Sequence, residues 1–186
     1  MAKLATEFVG TFFLIFTIML VIASGSPSAV IAIGIVLMVM VYMGGHVSGG
    51  HYNPAVTTAV ALAGKMPVRD VIGYIVAQLA GGIVASLAAY ACVGKTAGVE
   101  PNPASSTAAA LIVEFLFTFA LALVVLNVAC SAKTVGRGFY GLAIGGTVIA
   151  AAYAGGGISG GAFNPAVGLA PNLVHAMLGG GKLGHR

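Results

Sequence analysis

Charge is what this sequence has least of. Asp, Glu, Lys and Arg make up 6% of its 186 residues while 59% are hydrophobic, a balance that excludes an ordinary soluble domain. The eight basic and four acidic residues leave 8–64, 71–94, 115–132 and 139–181 without any charge, and each tract has membrane-spanning length. The net charge of +4 is spread over loops and forms no basic run. That excludes nucleic acid as a partner and fits a positive-inside bias. Cysteine is almost as scarce. Cys92 and Cys130 fit neither a metal-ligand spacing nor a disulfide framework, so both read as packing residues. No intramembrane carboxylate pair, nucleophile with its base, or nucleotide loop is present, which argues against an enzyme or a proton-coupled carrier. Nothing calls for a cofactor or a metal. A cleaved signal peptide would leave a soluble body, whereas here the apolar character continues along the whole chain.

What is there is a series of helix-length apolar segments, because only helices or closed barrels satisfy the backbone in lipid. The first span covers about 5–23 and stops at the turn formers Ser24-Gly25-Ser26-Pro27-Ser28. The second covers about 29–44. The third follows Pro67 and Asp70, both favourable near a helix start, and reaches Val93. A polar loop with Pro101 and Pro103 precedes the fourth span, about 107–130, and the fifth covers about 139–154. Two nearly uncharged segments, 46–64 and 155–178, each carry a glycine cluster followed by Asn-Pro. Proline suits the first turn of a helix and harms its interior, so Asn53-Pro54-Ala55 and Asn164-Pro165-Ala166 read as helix starts preceded by irregular backbone. Such backbone survives at membrane depth only where protein or a water-filled cavity shields it.

The chain is an internal repeat. Ser48-Gly49-Gly50-His51-Tyr52-Asn53-Pro54-Ala55-Val56 matches Ser159-Gly160-Gly161-Ala162-Phe163-Asn164-Pro165-Ala166-Val167 at seven of nine positions with an offset of 111, and the segment from Glu7 matches that from Glu114 with an offset of 107. The first repeat spans 1–94 and the second 107–186, within one membrane domain. Three spans, an odd number, separate equivalent points, so the copies enter the membrane in opposite directions. That is the inverted-repeat architecture of many transport proteins, with the site at the midplane where interrupted helices meet.

Each half-helix ends inside the membrane with unpaired N–H groups and roughly half a positive charge. Asn53 and Asn164 stand at the caps, where the side-chain oxygen takes up a backbone N–H and the amide NH2 faces a passing solute. A water or hydroxyl oxygen accepts both donors. A cation meets a field of the wrong sign, and a water held by its oxygen hands no proton along the file.

With these paired Asn-Pro-Ala motifs, and with Ala5 to Thr11, His46 to His51, Tyr74 to Gly82 and Val113-Glu114, nearly the whole chain resembles the aquaporin or major intrinsic protein family. The resemblance implies an all-α membrane fold: an inverted repeat of five transmembrane helices and two re-entrant half-helices. It implies a passive channel for water and small neutral solutes in the lipid bilayer, assembled as a homo-oligomer, in this family a tetramer. It further implies that Glu7 and Glu114 hold the re-entrant loops by accepting their N–H groups, an inward role also favoured by the cost of a bare charge in lipid. His46 and His51 lie beside the first motif and either bond loop carbonyls or line its half of the pore. The alternative to a channel is a non-conducting structural or assembly subunit with the same fold.

The filter departs from the family pattern. The arginine that follows the second motif in water-selective members is here Val167, the aspartate of glycerol facilitators is Gly168, and by the family's spacing the other filter positions fall on Ile33, Ala152 and Gly161. None of the four is charged or aromatic. The resemblance then implies a wide, apolar constriction passing water with urea, ammonia, glycerol or hydrogen peroxide, closer to the valine-bearing filters of plant tonoplast members. With Lys3, Lys65, Arg69, Lys133 and Arg137 on one side and Lys95 on the other, the N-terminus is expected in the cytoplasm. A sixth span is expected to be missing, because a half-helix over 164–178 measures about 22 Å at 1.5 Å per residue and only Gly179 to Arg186 follow it. The expectation is either a truncated version of a longer chain or a partner helix filling the gap.

Overall fold

The computed structural model describes residues 1–134 and 136–178; the tail from Gly179 to Arg186 lies outside the described residues. Among the described residues seven α-helices form: α1 Ala2–Ser24, α2 Ala29–Ser48, α3 Pro54–Leu62, α4 Val71–Val93 after a short 3-10 turn Val68–Asp70, α5 Thr107–Val128, α6 Tyr140–Ser159 and α7 Pro165–Met177. Five of these (α1, α2, α4, α5 and α6) are long and apolar enough to cross a membrane, as expected, and among the described residues there is no strand.

The ends follow local chemistry. Gly25 closes α1 in the left-handed conformation with φ 62°, its N–H returning to the Ile22 carbonyl. Ser106 opens α5 by accepting the Ala109 N–H at 3.1 Å. Helices α2 and α6 run past their expected ends at 44 and 154 to Ser48 and Ser159, carrying Gly44-Gly45 and Gly155-Gly156-Gly157 in helical conformation, and stop where Gly49 and Gly160 turn left-handed. The irregular backbone shrinks to residues 49–52 and 160–163, and His46 sits in the last turn of α2, not in a loop.

Helix α1 packs along α4 and α2 along α6, while each half-helix leans on the other repeat, α3 against α5 and α7 against α4. The α2–α6 crossing is reciprocal: a Cβ on Gly34 would meet the Gly145 carbonyl at 2.7 Å, and a Cβ on Gly145 would strike the Gly34 carbonyl. These glycines, 111 residues apart, let the two backbones touch. Leu14, Ile18, Leu37, Leu121, Val125 and Ile144 are buried at the centre, whereas Ile72, Val76, Phe115 and Phe119 are exposed on the outside, the distribution that suits a lipid surround. Cys92 is exposed and Cys130 half-buried. No counterpart of α4 follows α7 among the described residues. An open groove of about 640 Å³ between α5 and α7, lined by Leu111, Phe115, Phe119 and Leu169, reaches Asn164 and Pro165.

Candidate functional site

Two glutamates tie the irregular segments down. The Glu7 carboxylate, fully buried on α1, accepts the Ser48 hydroxyl at 2.7 Å, the His51 N–H at 2.9 Å, the Tyr52 N–H at 2.7 Å and the Gln78 amide at 2.8 Å. Glu114 on α5 repeats the pattern with the Ser159 hydroxyl at 2.6 Å and the Ala162 and Phe163 N–H groups at 3.0 and 2.7 Å. Hydrogen bonds to an ionised acceptor are the strong ones, and a carboxylate with several donors is the arrangement that tolerates burial.

Those bonds hold a strained conformation. Tyr52 and Phe163 adopt φ of 49° and 45°, a left-handed backbone that costs a residue with a side chain about 1–2 kcal/mol. Each is locked from both sides. Its N–H goes to a glutamate, and its carbonyl accepts the asparagine of the opposite repeat: Asn53 Nδ2 donates to the Phe163 carbonyl and Asn164 Nδ2 to that of Tyr52, both at 2.9 Å. The Oδ1 of Asn53 accepts the Ala55 and Val56 N–H groups at 2.9 and 3.4 Å, and that of Asn164 accepts the Ala166 N–H at 2.9 Å. Both asparagines therefore cap their half-helices, with Pro54 and Pro165 in the first turn. The expectation that the whole NH2 faces the solute needs correction. One hydrogen of each amide is spent on the crossed clasp, and one remains free.

Two cavities lie beside these ends, one of them reaching both asparagines. One, of about 320 Å³, is lined by Ile33, Ala152, Gly161 and Val167 together with Asn53 and Asn164. The other, of about 610 Å³, is lined by Lys3, His46, Lys65, Tyr74 and Arg137. His51 and Val125 line both. The first is bounded by Ile22 and Ala29, where α1 ends and α2 begins, and the second by the opposite ends of those helices. Of the two histidines, His46 is exposed in the second cavity, while His51 is buried with its Nδ1 3.1 Å from the Thr57 hydroxyl. Pro54, Ala55, Pro165 and Ala166 form the first turns of the half-helices. The N–H groups that the asparagines cap are those of Ala55, Val56 and Ala166.

Several residues escaped the sequence reading. Gln78 is fully buried, and its Nε2 bridges Glu7 and Thr57 at 2.8 and 2.9 Å. The Tyr74 hydroxyl donates to the Ser48 carbonyl at 2.7 Å. Ser48 and Ser159 belong to the repeated motif, and the identity of their positions in both copies was the one available signal. On the other side, Asn172 accepts the Val99 N–H at 2.7 Å and donates to its carbonyl at 3.0 Å, a clasp without a motif.

The family model described as Major intrinsic protein matches residues 1–179. Nodulin-26 of Glycine max is 40% identical over 185 residues, covering 93% of this chain and 67% of that protein. Aquaporin NIP1-3 of Oryza sativa subsp. japonica is 40% identical, covering 92% and 63%. Glycerol uptake facilitator protein-like 6 of Lactiplantibacillus plantarum is 39% identical over 194 aligned residues, covering 100% and 88%. The chain thus spans about two thirds of the length of these plant relatives. Among solved structures, the aquaglyceroporin from Plasmodium falciparum superposes with a TM-score of 0.84 over 96% of this chain and 82% of that one, at 22% identity, so the fold is shared. By the extent of the family match and the identity to these relatives, the chain belongs to the major intrinsic protein family.

Proposed function

We propose that the chain forms a passive transmembrane channel for water and small neutral solutes, with urea, ammonia, glycerol and hydrogen peroxide as the class. The observation that carries this reading is a pair of facing half-helix N-termini lining one cavity, with a second cavity toward the opposite helix ends sharing the His51 and Val125 walls. Each asparagine keeps one N–H for a passing oxygen, and the positive helix ends oppose a cation and orient water against proton transfer. Ile33, Ala152, Gly161 and Val167 act as the filter. With no arginine among them, discrimination rests on bore and apolarity, which favours solutes larger than water. A relative named for glycerol uptake supports that extension.

The cavity with Lys3, Lys65 and Arg137 faces the cytoplasm in this reading, which puts the N-terminus inside. A thiol-reactive, membrane-impermeant reagent labelling an Ala104→Cys variant only from the cytoplasmic side overturns that orientation. The assembly is a homo-oligomer, a tetramer by the family's habit. Stopped-flow light scattering on proteoliposomes tests conduction. The expected result is faster water shrinkage than in empty vesicles, faster re-swelling in glycerol or urea, and no dependence on a pH gradient. Folded protein with no acceleration favours the non-conducting subunit instead.

A further inference from the structure

Val99 sits in the loop between α4 and α5, yet its side chain lines the outer cavity with Ile33 and Val167 and packs against the buried core. The loop is strapped in place. Asn172 on α7 clasps both polar groups of Val99 at 2.7 and 3.0 Å, Thr96 bonds His175 at 2.8 Å, and Asn102 donates to the Gly157 carbonyl at 3.0 Å. The strap fits because of a difference between the repeats. In the first, the His51 ring lies over Gly49, where a Cβ would meet Nε2 at 2.9 Å; in the second, the Glu100 backbone lies over Gly160, where a Cβ would meet the Glu100 carbonyl at 2.5 Å. The residue equivalent to His51 is Ala162, which has no ring, so the place a histidine fills at the inner mouth is open for the loop at the outer one. Gly160 has φ 87°, a conformation glycine adopts without strain, and this clears the loop's path.

We propose that Val99, held by Asn172, is a specificity-determining residue of the outer mouth, an additional wall of the filter supplied by a loop. The proposal rests on the channel reading and adds to it a residue that selects solutes by size. Asn172 is a positioning residue: it touches the strap and acts through Val99. Removing methyl groups at Val99 widens the mouth, and a methylene-scale change in an apolar site is worth about tenfold at the lower end of its range in discrimination between solutes.

The test uses full-length protein in proteoliposomes. In a Cys92→Ser background, Val99→Cys is treated with a membrane-impermeant methanethiosulfonate. Burial pushes the remaining Cys130 thiol up, with Lys65 opposing, so its background reaction is slow. The expected result is that the introduced thiol reacts from the outer side and glycerol flux falls severalfold, with water flux falling less. Without reagent, Val99→Ala raises the glycerol-to-water ratio up to about tenfold. Asn172→Ala raises it similarly, and the double variant goes no further, the non-additivity of two residues acting through one contact. A thiol unreactive from both sides, or one that reacts while the flux ratio stays fixed in a conducting protein, overturns the role of Val99 alone. An unsubstituted chain that conducts nothing overturns the channel reading and this role with it, whatever the labelling shows.

Discussion

Asn53 and Phe163, 110 residues apart, are joined by a hydrogen bond of 2.9 Å from the asparagine amide to the phenylalanine carbonyl. The same amide group caps α3 through its oxygen, so one side chain closes a helix, braces the opposite loop and keeps a donor for the pore.

Asn53→Asp acts on all three. A carboxylate still caps, but it sets an oxygen against the Phe163 carbonyl and cancels part of the helix-end charge. The expected stability loss is about 1–3 kcal/mol, the cost of an acceptor left facing an acceptor, together with a new cation leak. Asn164→Asp behaves alike through the Tyr52 carbonyl. Thermal unfolding in detergent and bilayer conductance read the two effects. Conductance that stays at the parent level in both variants contradicts the charge-exclusion mechanism.

Glu7→Gln costs more stability than Glu114→Gln. Each Glu7 oxygen accepts two donors, so an amide nitrogen on either side strands one backbone N–H, of His51 or of Tyr52, while the Ser48 hydroxyl or the Gln78 amide turns to accept, and four charge-assisted bonds are lost. At Glu114 the Oε2 accepts only the Phe163 N–H, and the amide can turn that way and strand one. The stranded N–H costs roughly 1–3 kcal/mol in either variant, and Glu7 gives up four bonds to a carboxylate against three at Glu114, so the first substitution costs more. Equal melting shifts for the two variants refute this count.

The five long helices were legible because uncharged tracts of helical length in lipid have one backbone solution, and the half-helix starts were legible because proline after asparagine marks a first turn. The helix ends at Ser48 and Ser159 were not. Glycine suits close helix contact in lipid as well as a helix end, so the sequence does not tell Gly44 from Gly49, or Gly155 from Gly160, as the residue that stops the helix. The crossed clasp was hidden for another reason. Its acceptors are the carbonyls of Tyr52 and Phe163, and every residue carries a carbonyl, so no side-chain type advertises the bond. The bonds of Gln78 go to Glu7 and Thr57, groups 71 and 21 residues away in sequence, which its own neighbours do not name.

Val167→Arg places a long cation where a buried valine now lines the outer cavity of about 320 Å³. The guanidinium narrows the bore and adds a fixed positive charge. Glycerol and urea permeabilities are expected to fall by more than water permeability. If they stay at the parent value in folded protein, the filter lies elsewhere than at Ile33, Ala152, Gly161 and Val167.

Gly145→Ala tests whether the helix crossing sets the pore. The added Cβ strikes the Gly34 carbonyl and stands 2.8 Å from the Met38 Cβ, and a backbone carbonyl has no rotamer with which to yield. Helices α2 and α6 must separate, at the roughly 1–3 kcal/mol typical of overpacking. Because α2 carries Ile33 and α6 carries Ile144, Val148 and Ala152, all lining the outer cavity, the separation also widens the bore and raises the glycerol-to-water ratio. Gly34→Ala meets the Gly145 carbonyl at 2.7 Å from the other side and produces the same pair of effects. Once either methyl has parted the helices, the second finds part of its space already made, so the double variant is less destabilised than the sum of the two. Thermal unfolding of the three variants, read beside their glycerol and water fluxes, checks this; fully additive melting shifts with an unchanged flux ratio refute a crossing that governs the pore.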